Sequence, residues 1–317
     1  MTKYPEHIIL KEVAPRDGWQ KYKRIIPTEQ KIRLIKSMID YGVKELEIGV
    51  FAKNPKLARQ YPDIEEVCKA IIPYAEEHGV KLNVLVSDEP SVSRVLKAGI
   101  HVFDYFISVS DTFGKGFGAS ADEIFKELEQ LVKIPGAEVR LALGAVFGCP
   151  FGETVSVEKT ISYIKRAADM GISEIGLGDS AGKGDPLHTE MILSEIAKEF
   201  APDQFSLHIH NTEGFGLVNC VKAMELGFFR FDVALGGMGG CPVIPNAKGN
   251  IPTEDFANLL YKMGIQTEIN LQKCIQASLD MSELIKNPVI SSAAENMLLR
   301  RNADMKKEEI LKMADKA

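Results

Sequence analysis

The segment LHIHN, Leu207–Asn211, holds two of the chain's six histidines and separates them by a single residue. Side chains alternate faces along an extended strand, so His208 and His210 would share one face. Two imidazoles aimed at one point suit metal ligation, and they equally suit a core pair satisfied by backbone; the spacing alone is compatible with both. Other segments supply partners for the first reading. EVAPRDGWQ contains Arg16 and Asp17, LEIG contains Glu47 among apolar residues, and GGMGGCPVIPNAKGN contains Cys241 and Asn250. Asp17, His208, His210 and Asn250 together offer one carboxylate, two imidazoles and an amide oxygen. That mixed N/O set suits an octahedral divalent cation such as Mg²⁺ or Mn²⁺, with positions left for substrate oxygens. A structural zinc site would use more thiolates and a closed shell.

These residues are far apart in sequence, so the fold must gather them. Eight β-branched or aromatic runs recur along the chain: HIILKEV, KELEIGVF, KLNVLVS, HVFDYFISV, EVRLALGAVF, SEIGLGD, FSLHIH and FRFDVALGG. Amphipathic stretches such as PTEQKIRLIKSMIDYG and VEKTISYIKRAADMG lie between them. Gly42, Gly79, Gly99, Gly171, Gly227 and Gly264 stand where those helices should stop. Eight βα repeats at this spacing predict a closed α/β fold, the (β/α)8 TIM barrel, better than an open doubly wound sheet. Residues 1–268 are read as the barrel and 269–317 as a C-terminal helical extension, with a turn or short helix near Val289–Met297. In a barrel, function belongs at the C-terminal ends of the strands. Strand eight pairs with strand one and flanks strand seven, so Asp17, His208, His210 and Asn250 would meet at one mouth.

Bulk properties narrow the remaining classes. Lys and Arg number 38 against 44 acidic residues, a net charge of −6, and no basic stripe argues for nucleic acid. No run approaches the roughly 18 apolar residues of a membrane span. MTKYPEHIILKE lacks the apolar core of a secretory leader. Five scattered cysteines, Cys68, Cys149, Cys220, Cys241 and Cys274, do not form a disulfide framework. A reduced, cytoplasmic protein is the expectation.

Several motifs in order resemble those of the 3-hydroxy-3-methylglutaryl-CoA lyases. EVAPRDGWQ is similar to their EVGPRDGLQ, and GLGDSAG, HIHNTEGFGLVN, GGMGGCP and GNIPTEDF follow at family spacing, from Ile8 to Gln272. The wider family includes the isopropylmalate and homocitrate synthases, but the Gly-rich Cys loop marks the lyase branch. The resemblance implies a divalent cation on Asp17, His208, His210 and Asn250, an acyl-CoA substrate, a homodimer, and catalytic roles for Arg16 and Cys241. Retro-Claisen cleavage would place Arg16 against the thioester oxygen, with Cys241 moving a proton as its loop closes. Asp17 and His208 would relay protons as well as bind the cation, and Glu47 would position Arg16 or a bound water. Asp179 is read as a group that supports the site or touches substrate. Each assignment has a plainer alternative: an Arg16–Glu47 structural pair, a packed Cys241 thiol, an Asp179 that caps its own turn. Cys149 is read as packing. Lys23 is read as surface or site contact, and Ser110 and Lys115 as contacts to CoA from a loop spanning Phe113–Gly118.

The sequence also departs from the lyase pattern. Asn211 stands where Asp is usual, Ile48–Phe51 where a Thr-Thr-Ser-Phe run is usual, Gly176 for a serine and Trp19 for a leucine. These changes predict an intact metal and Arg16 apparatus beside an altered acyl pocket, because an unpaired buried carboxylate is costly. Two other readings stay open: a transferase condensing acetyl-CoA with a 2-oxo acid, which has no need of Cys241, and a catalytically silent binding barrel.

Overall fold

The computed structural model describes residues 4–22, 24–240, 244, 248–286 and 288–300. Its strands are β1 (Ile9–Glu12), β2 (Glu45–Phe51), β3 (Lys81–Val86), β4 (Val102–Ser108), β5 (Glu138–Gly144), β6 (Ile175–Asp179), β7 (Phe205–Ile209) and β8 (Arg230–Val233). All neighbours pair in parallel, and β1 pairs with both β2 and β8, so the sheet closes as the expected TIM barrel. The intervening helices are α1 (Thr28–Asp40), α2 (Ile64–Glu77), α3 (Glu89–Lys97), α4 (Asp111–Lys115), α5 (Ala121–Leu131), α6 (Val157–Asp169), α7 (Pro186–Ala197) and α8 (Gly216–Glu225). After β8 come α9 (Thr253–Met263) and α10 (Leu271–Ile285). All six glycines expected to end helices have positive φ. Several helix starts are capped by the preceding residue: Ser120 and Glu123 make a reciprocal capping box at α5, and Asp185 accepts two backbone N–H groups at α7.

The strands alternate in a way that decides where charge goes. Leu46, Phe103, Leu141, Leu177, Leu207 and Phe231 are fully buried and contribute to the apolar layer between sheet and helices. The opposite parity of these strands faces the lumen and carries its charges. At the bottom Arg230 Nη2 donates to Glu45 Oε1 at 2.8 Å and to Glu174 Oε2 at 3.0 Å, and Arg140 pairs with both carboxylates. One level up, Lys11 Nζ lies 3.4 Å from Asp104 and from Asp232, and Asn83 Nδ2 donates to Asp104 at 2.5 Å. Interior barrel positions more often hold branched aliphatic residues. Here they hold a lattice of opposite charges, as buried ions must be paired to be tolerated.

Beyond the barrel, α10 packs against α1 and α9, and the Asn270 N–H donates to the Tyr41 carbonyl at 2.7 Å. Residues 292–300 form a further helix, whose start is held by Asp255 accepting from Ser291 Oγ and the Ala293 N–H, both at 2.8 Å. The expected short element near Val289–Met297 is therefore helical from residue 292. Among the described residues no helix is long and apolar enough to cross a membrane.

Candidate active site at the barrel mouth

The first βα loop begins with a wide turn of π-helical type, Ala14–Gly18, whose N–H groups at Arg16 and Asp17 converge on the Val13 carbonyl at 3.0 and 2.8 Å. Glu12, the last residue of β1, anchors it. Its carboxylate accepts from the Ala14 N–H (2.8 Å), the Leu235 N–H (2.9 Å), Tyr41 Oη (2.6 Å) and Thr253 Oγ1 (2.6 Å). Burial still pushes the Glu12 carboxyl above its ordinary range. The turn aims Arg16 and Asp17 over the lumen. Arg16 Nε donates to Glu47 Oε2 at 2.7 Å and Nη1 to Asp17 Oδ1 at 2.9 Å, while Tyr61 Oη donates to the Arg16 carbonyl. Glu47 is wholly buried, and burial pushes its carboxyl up to about 7 despite the guanidinium beside it. Asp17 moves the other way: burial alone would raise it, but Arg16 and the two imidazoles hold it well below the usual carboxylate range. The Arg16–Glu47 pair foreseen as a structural alternative is present, and it also fixes the guanidinium plane beside Asp17.

His208 lies on β7 and His210 just beyond it, in an isolated bridge to Asn250. Strand pairing sets His208 beside Asp232 of β8, and His208 Nδ1 bonds Asp232 Oδ2 at 3.0 Å. Burial alone would raise the Asp232 carboxyl, but Lys11, His208 and Arg140 together lower it to about 2, so it is an acceptor. A proton on Nδ1 leaves the His208 Nε2 lone pair facing the site, an orientation that outer carboxylates commonly impose on metal-binding histidines. His208 Nε2 is 3.1 Å from His210 Nε2, and His210 Nε2 is 3.8 Å from Asp17 Oδ2. Burial and His208 depress His210 to about 3, so it stays neutral.

The ligand atoms of Asp17, His208 and His210 all lie within 4.8 Å of one another. Donors about 2.0–2.1 Å from an octahedral cation lie roughly 3 Å apart when adjacent and 4 Å when opposite. The separations match that pattern. Asn250 completes the group: Nδ2 donates to Asp17 Oδ2 (2.7 Å) and to the Met238 carbonyl (3.1 Å), and buried Oδ1 has no partner among the described residues. His210 Nδ1 is likewise unpartnered. A half-turn of the Asn250 amide would present Oδ1 to Asp17 and the imidazoles, where only a cation would relieve the clustered lone pairs. Gly239 makes the approach possible, because a Cβ there would fall 2.4 Å from Asn250 Nδ2 and 2.5 Å from Asp17 Oδ2.

The cluster opens onto a cavity of about 440 Å³. Arg16, Asp17, His208 and His210 border it above, and Lys11, Asp104, Arg140 and Asp232 border it below. Cys241 and Lys23 lie outside the described residues. The other expectations distribute as follows. Asp179 accepts from the Lys183 and Gly184 N–H groups at 2.9 and 3.0 Å, so it shapes its own turn and does not border the cavity. Ser110 is consumed in capping: Oγ accepts from the Phe113 N–H and donates to Glu153. It is buried and makes no wall for CoA. The segment expected as a loop is partly α4, because Glu153 accepts from the N–H groups of Asp111 and Thr112 and Phe113 is buried. Cys149 is buried beside Ser110 Oγ at 3.1 Å, as packing predicts.

The departures from the lyase pattern also resolve. Asn211 Oδ1 accepts from the Gly216 N–H at 3.0 Å and so serves the start of α8, not His210. Ile48, Val50 and Phe51 are buried but none borders the cavity. The register shifts between Glu47 and Val50, a Cβ on Gly49 would meet Ile64 and Tyr61, and Arg94 of α3 lies 5.4 Å from the Phe51 ring. The expected apolar wall there is thus core. Trp19 is core as well, whereas Gly176 does border the cavity. Asp232, Lys11, Glu12 and Tyr61 were not singled out from sequence. The signal for Asp232 was available in RFDV, where an acid alternates with apolar residues in a buried strand.

Comparison with known proteins agrees with this geometry. The HMGL-like family profile matches residues 7–281. Hydroxymethylglutaryl-CoA lyase YngG of Bacillus subtilis (strain 168) is 34% identical over 292 residues, covering 91% of this chain and 96% of that protein. The mitochondrial hydroxymethylglutaryl-CoA lyase of Bos taurus is 32% identical, covering 92% and 90%. The crystal structure of B. subtilis HMG-CoA lyase superposes with a TM-score of 0.87, over 93% of this chain and 99% of that one, at 34% identity. An HMG-CoA lyase from Acinetobacter baumannii, in complex with coenzyme A and 3-methylmalate, gives 0.87 at 32% identity, over 93% and 96%. A charged lumen, a stapled Arg-Asp turn and an HxH pair backed by a carboxylate thus occur in a chain that belongs to the HMGL-like family.

Proposed function

We propose that this protein is a divalent-metal-dependent carbon–carbon lyase that cleaves 3-hydroxy-3-methylglutaryl-CoA, or a related 3-hydroxyacyl-CoA, to an acyl-CoA and a keto acid. One observation carries the reading: the Asp17, His208 and His210 donor atoms converge above a cavity large enough for a small organic ligand, roughly 300–1,000 Å³. The relatives named hydroxymethylglutaryl-CoA lyases support the substrate class. Asp17, His208, His210 and Asn250 would hold the cation, with Mg²⁺ or Mn²⁺ favoured by the N/O donor set. When bound, it supplies Lewis acidity that lowers the pKa of the substrate hydroxyl and orients the scissile bond.

The chain's own groups do the rest. The hydroxyl proton is assigned to Asp17, kept ionised by Arg16, and to His208, whose Nδ1 is held by Asp232. The oxyanion then collapses to a ketone, the C2–C3 electron pair passes to C2, and a thioester enolate forms. Arg16, fixed through Nε by Glu47, would stabilise that enolate oxygen, so Glu47 acts by positioning. The proton that quenches C2 is assigned to Cys241, on the strength of the family resemblance. Residues 1–268 are taken as the catalytic barrel and 269–317 as its helical extension, and the protein as a homodimer. Cytoplasmic residence is supported by four buried free thiols, Cys68, Cys149, Cys220 and Cys274.

Incubation with Mg²⁺ or Mn²⁺ and 3-hydroxy-3-methylglutaryl-CoA, followed by mass spectrometry, should yield acetyl-CoA and acetoacetate. Release of free CoA from acetyl-CoA and a 2-oxo acid, with no cleavage, would instead make the protein a condensing enzyme.

A further inference from the structure

The lumen is filled unevenly. On β5 and β6 the inward positions above Arg140 are Ala142, Gly144, Gly176 and Gly178, so none of these four carries more than a methyl group. Barrel interiors are normally packed to the axis by branched side chains, so this sector lacks the volume that its neighbours supply. Ala142 pairs with Gly176, and Gly176 with Ser206, which places three minimal side chains in one row across three adjacent strands.

The glycines there are not equivalent. A Cβ on Gly178 would fall 2.9 Å from the Leu143 carbonyl oxygen, and one on Gly144 would fall 2.5 Å from the Phe106 ring. Backbone blocks a side chain at 178, and at 144 the Phe106 ring would have to give way. A Cβ on Gly176 would meet nothing nearer than 3.5 Å, an ordinary contact. The fold accepts a side chain at 176, and leaving it out keeps the cavity open.

Beside this row, on the neighbouring strand, stands an aromatic wall. Phe106, on the inward face of β4, lies 4.7 Å from Phe117 by ring centroids, and Phe113 lies 5.1 Å from Phe117. All three border the cavity, together with Leu85. The cations at its floor are already engaged, Lys11 by Asp104 and Asp232 and Arg140 by Glu45 and Glu174. The space between Gly176 and Phe106 is therefore bordered by apolar surface, and the two cations at the cavity floor are committed to carboxylates.

We propose that this space is a branch subsite, and that the substrate is a 3-hydroxyacyl-CoA whose C3 carries an apolar substituent larger than methyl, with Ala142 and Gly176 as the specificity-determining residues. The proposal rests on the retro-Claisen reading above. The cleavage balances as before: the hydroxyl proton leaves, the C2–C3 pair moves to C2 and is protonated as acetyl-CoA, and C3 departs as the ketone of a 3-oxo acid bearing the larger group. Apolar burial worth about 0.8 kcal/mol per methylene converts three added methylenes into a gain of tenfold or more in kcat/KM.

The test compares the metal-loaded enzyme on 3-hydroxy-3-methylglutaryl-CoA and its 3-butyl analogue, reading the ratio of the two kcat/KM values. The butyl thioester should be favoured by about tenfold or more. Gly176→Val should shift the ratio toward methyl by about 30-fold, and Ala142→Leu, filling the same row from the neighbouring strand, should shift it the same way. A wild-type preference for the methyl substrate, or a ratio moved by neither variant, overturns the branch subsite while the lyase reading stands. Cleavage of neither thioester overturns the lyase reading and this proposal with it.

Discussion

Charges occupy the lumen at two levels, and the two levels complete themselves differently. At the bottom, Glu45, Glu174, Arg140 and Arg230 pair with one another, and each has an opposite charge within 4 Å. At the mouth, a carboxylate and two imidazoles crowd together, while His210 Nδ1 and Asn250 Oδ1 have no partner among the described residues. Every charge of the lower lattice is matched by an opposite one from the chain itself, although Arg230 Nε has no hydrogen-bond partner among the described residues, and the lattice reads as structure. The upper one keeps polar atoms that no described residue satisfies. Burial of charge is therefore not by itself a sign of function; incompleteness is the sign.

The contrast can be broken most severely at Asp17. Asp17→Asn should abolish measurable Mn²⁺ binding and cut turnover by about 10⁴-fold or more, over 5 kcal/mol of transition-state stabilisation, while the barrel stays folded. Isothermal titration and circular dichroism decide it, and retained metal affinity would refute the ligand assignment. Arg140→Leu attacks the other level. It leaves Arg230 as the one remaining cation for both Glu45 and Glu174, and should cost about 3–5 kcal/mol of stability in a denaturant titration. If it lost turnover with no loss of stability, the lower lattice would not be merely structural.

Asp232→Asn lies between the two levels and sharpens the boundary. It leaves Lys11 with Asp104 but weakens the hold on His208 Nδ1, so metal affinity should fall about 10–100-fold with little change in Tm. An unchanged affinity would remove Asp232 from the site.

The smallest effect concerns Glu254, wholly buried, with no cation within 4 Å among the described residues. It accepts from the Gly236 N–H at 3.1 Å, and burial raises its carboxyl to about 7. The folded state thus keeps a proton that the unfolded chain has already lost. This contribution is fully present below about pH 4.5 and disappears as pH rises through 7, at most about 3 kcal/mol. Glu254→Gln should flatten the Tm profile between pH 5 and 8; a profile of unchanged slope would assign the dependence to another group.

Much of this was readable in the sequence because it is local or periodic. HxH on a strand fixes a shared face, and apolar–charged alternation in RFDV and EVRLALG marks a polar lumen. Glycines at helix ends mark the eight repeats. What escaped depends on register and on irregularity. Asp232 reaches His208 only because β8 pairs with β7 at that level, and Lys11 reaches Asp104 only across the closed barrel. The bulge between Glu47 and Val50 removed the residues expected to wall the acyl pocket, while Gly176 kept its place because β6 is regular. Asn211 shows a simpler case: its side chain accepts from the helix start five residues on, a contact that the neighbouring histidines do not announce.

The Glu12 staple has a temporal consequence. Its four donors come from positions 14, 41, 235 and 253, so its bonds span almost the whole length of the barrel sequence. Asp17 emerges early from a ribosome, whereas its companions at 208, 210 and 250 emerge near the end. Such distant contacts form late, after most of the loop-closure entropy has been met. A nascent chain would therefore present the Arg-Asp turn without its histidines, and cation capture would become the last step of maturation, reporting that the ring has closed.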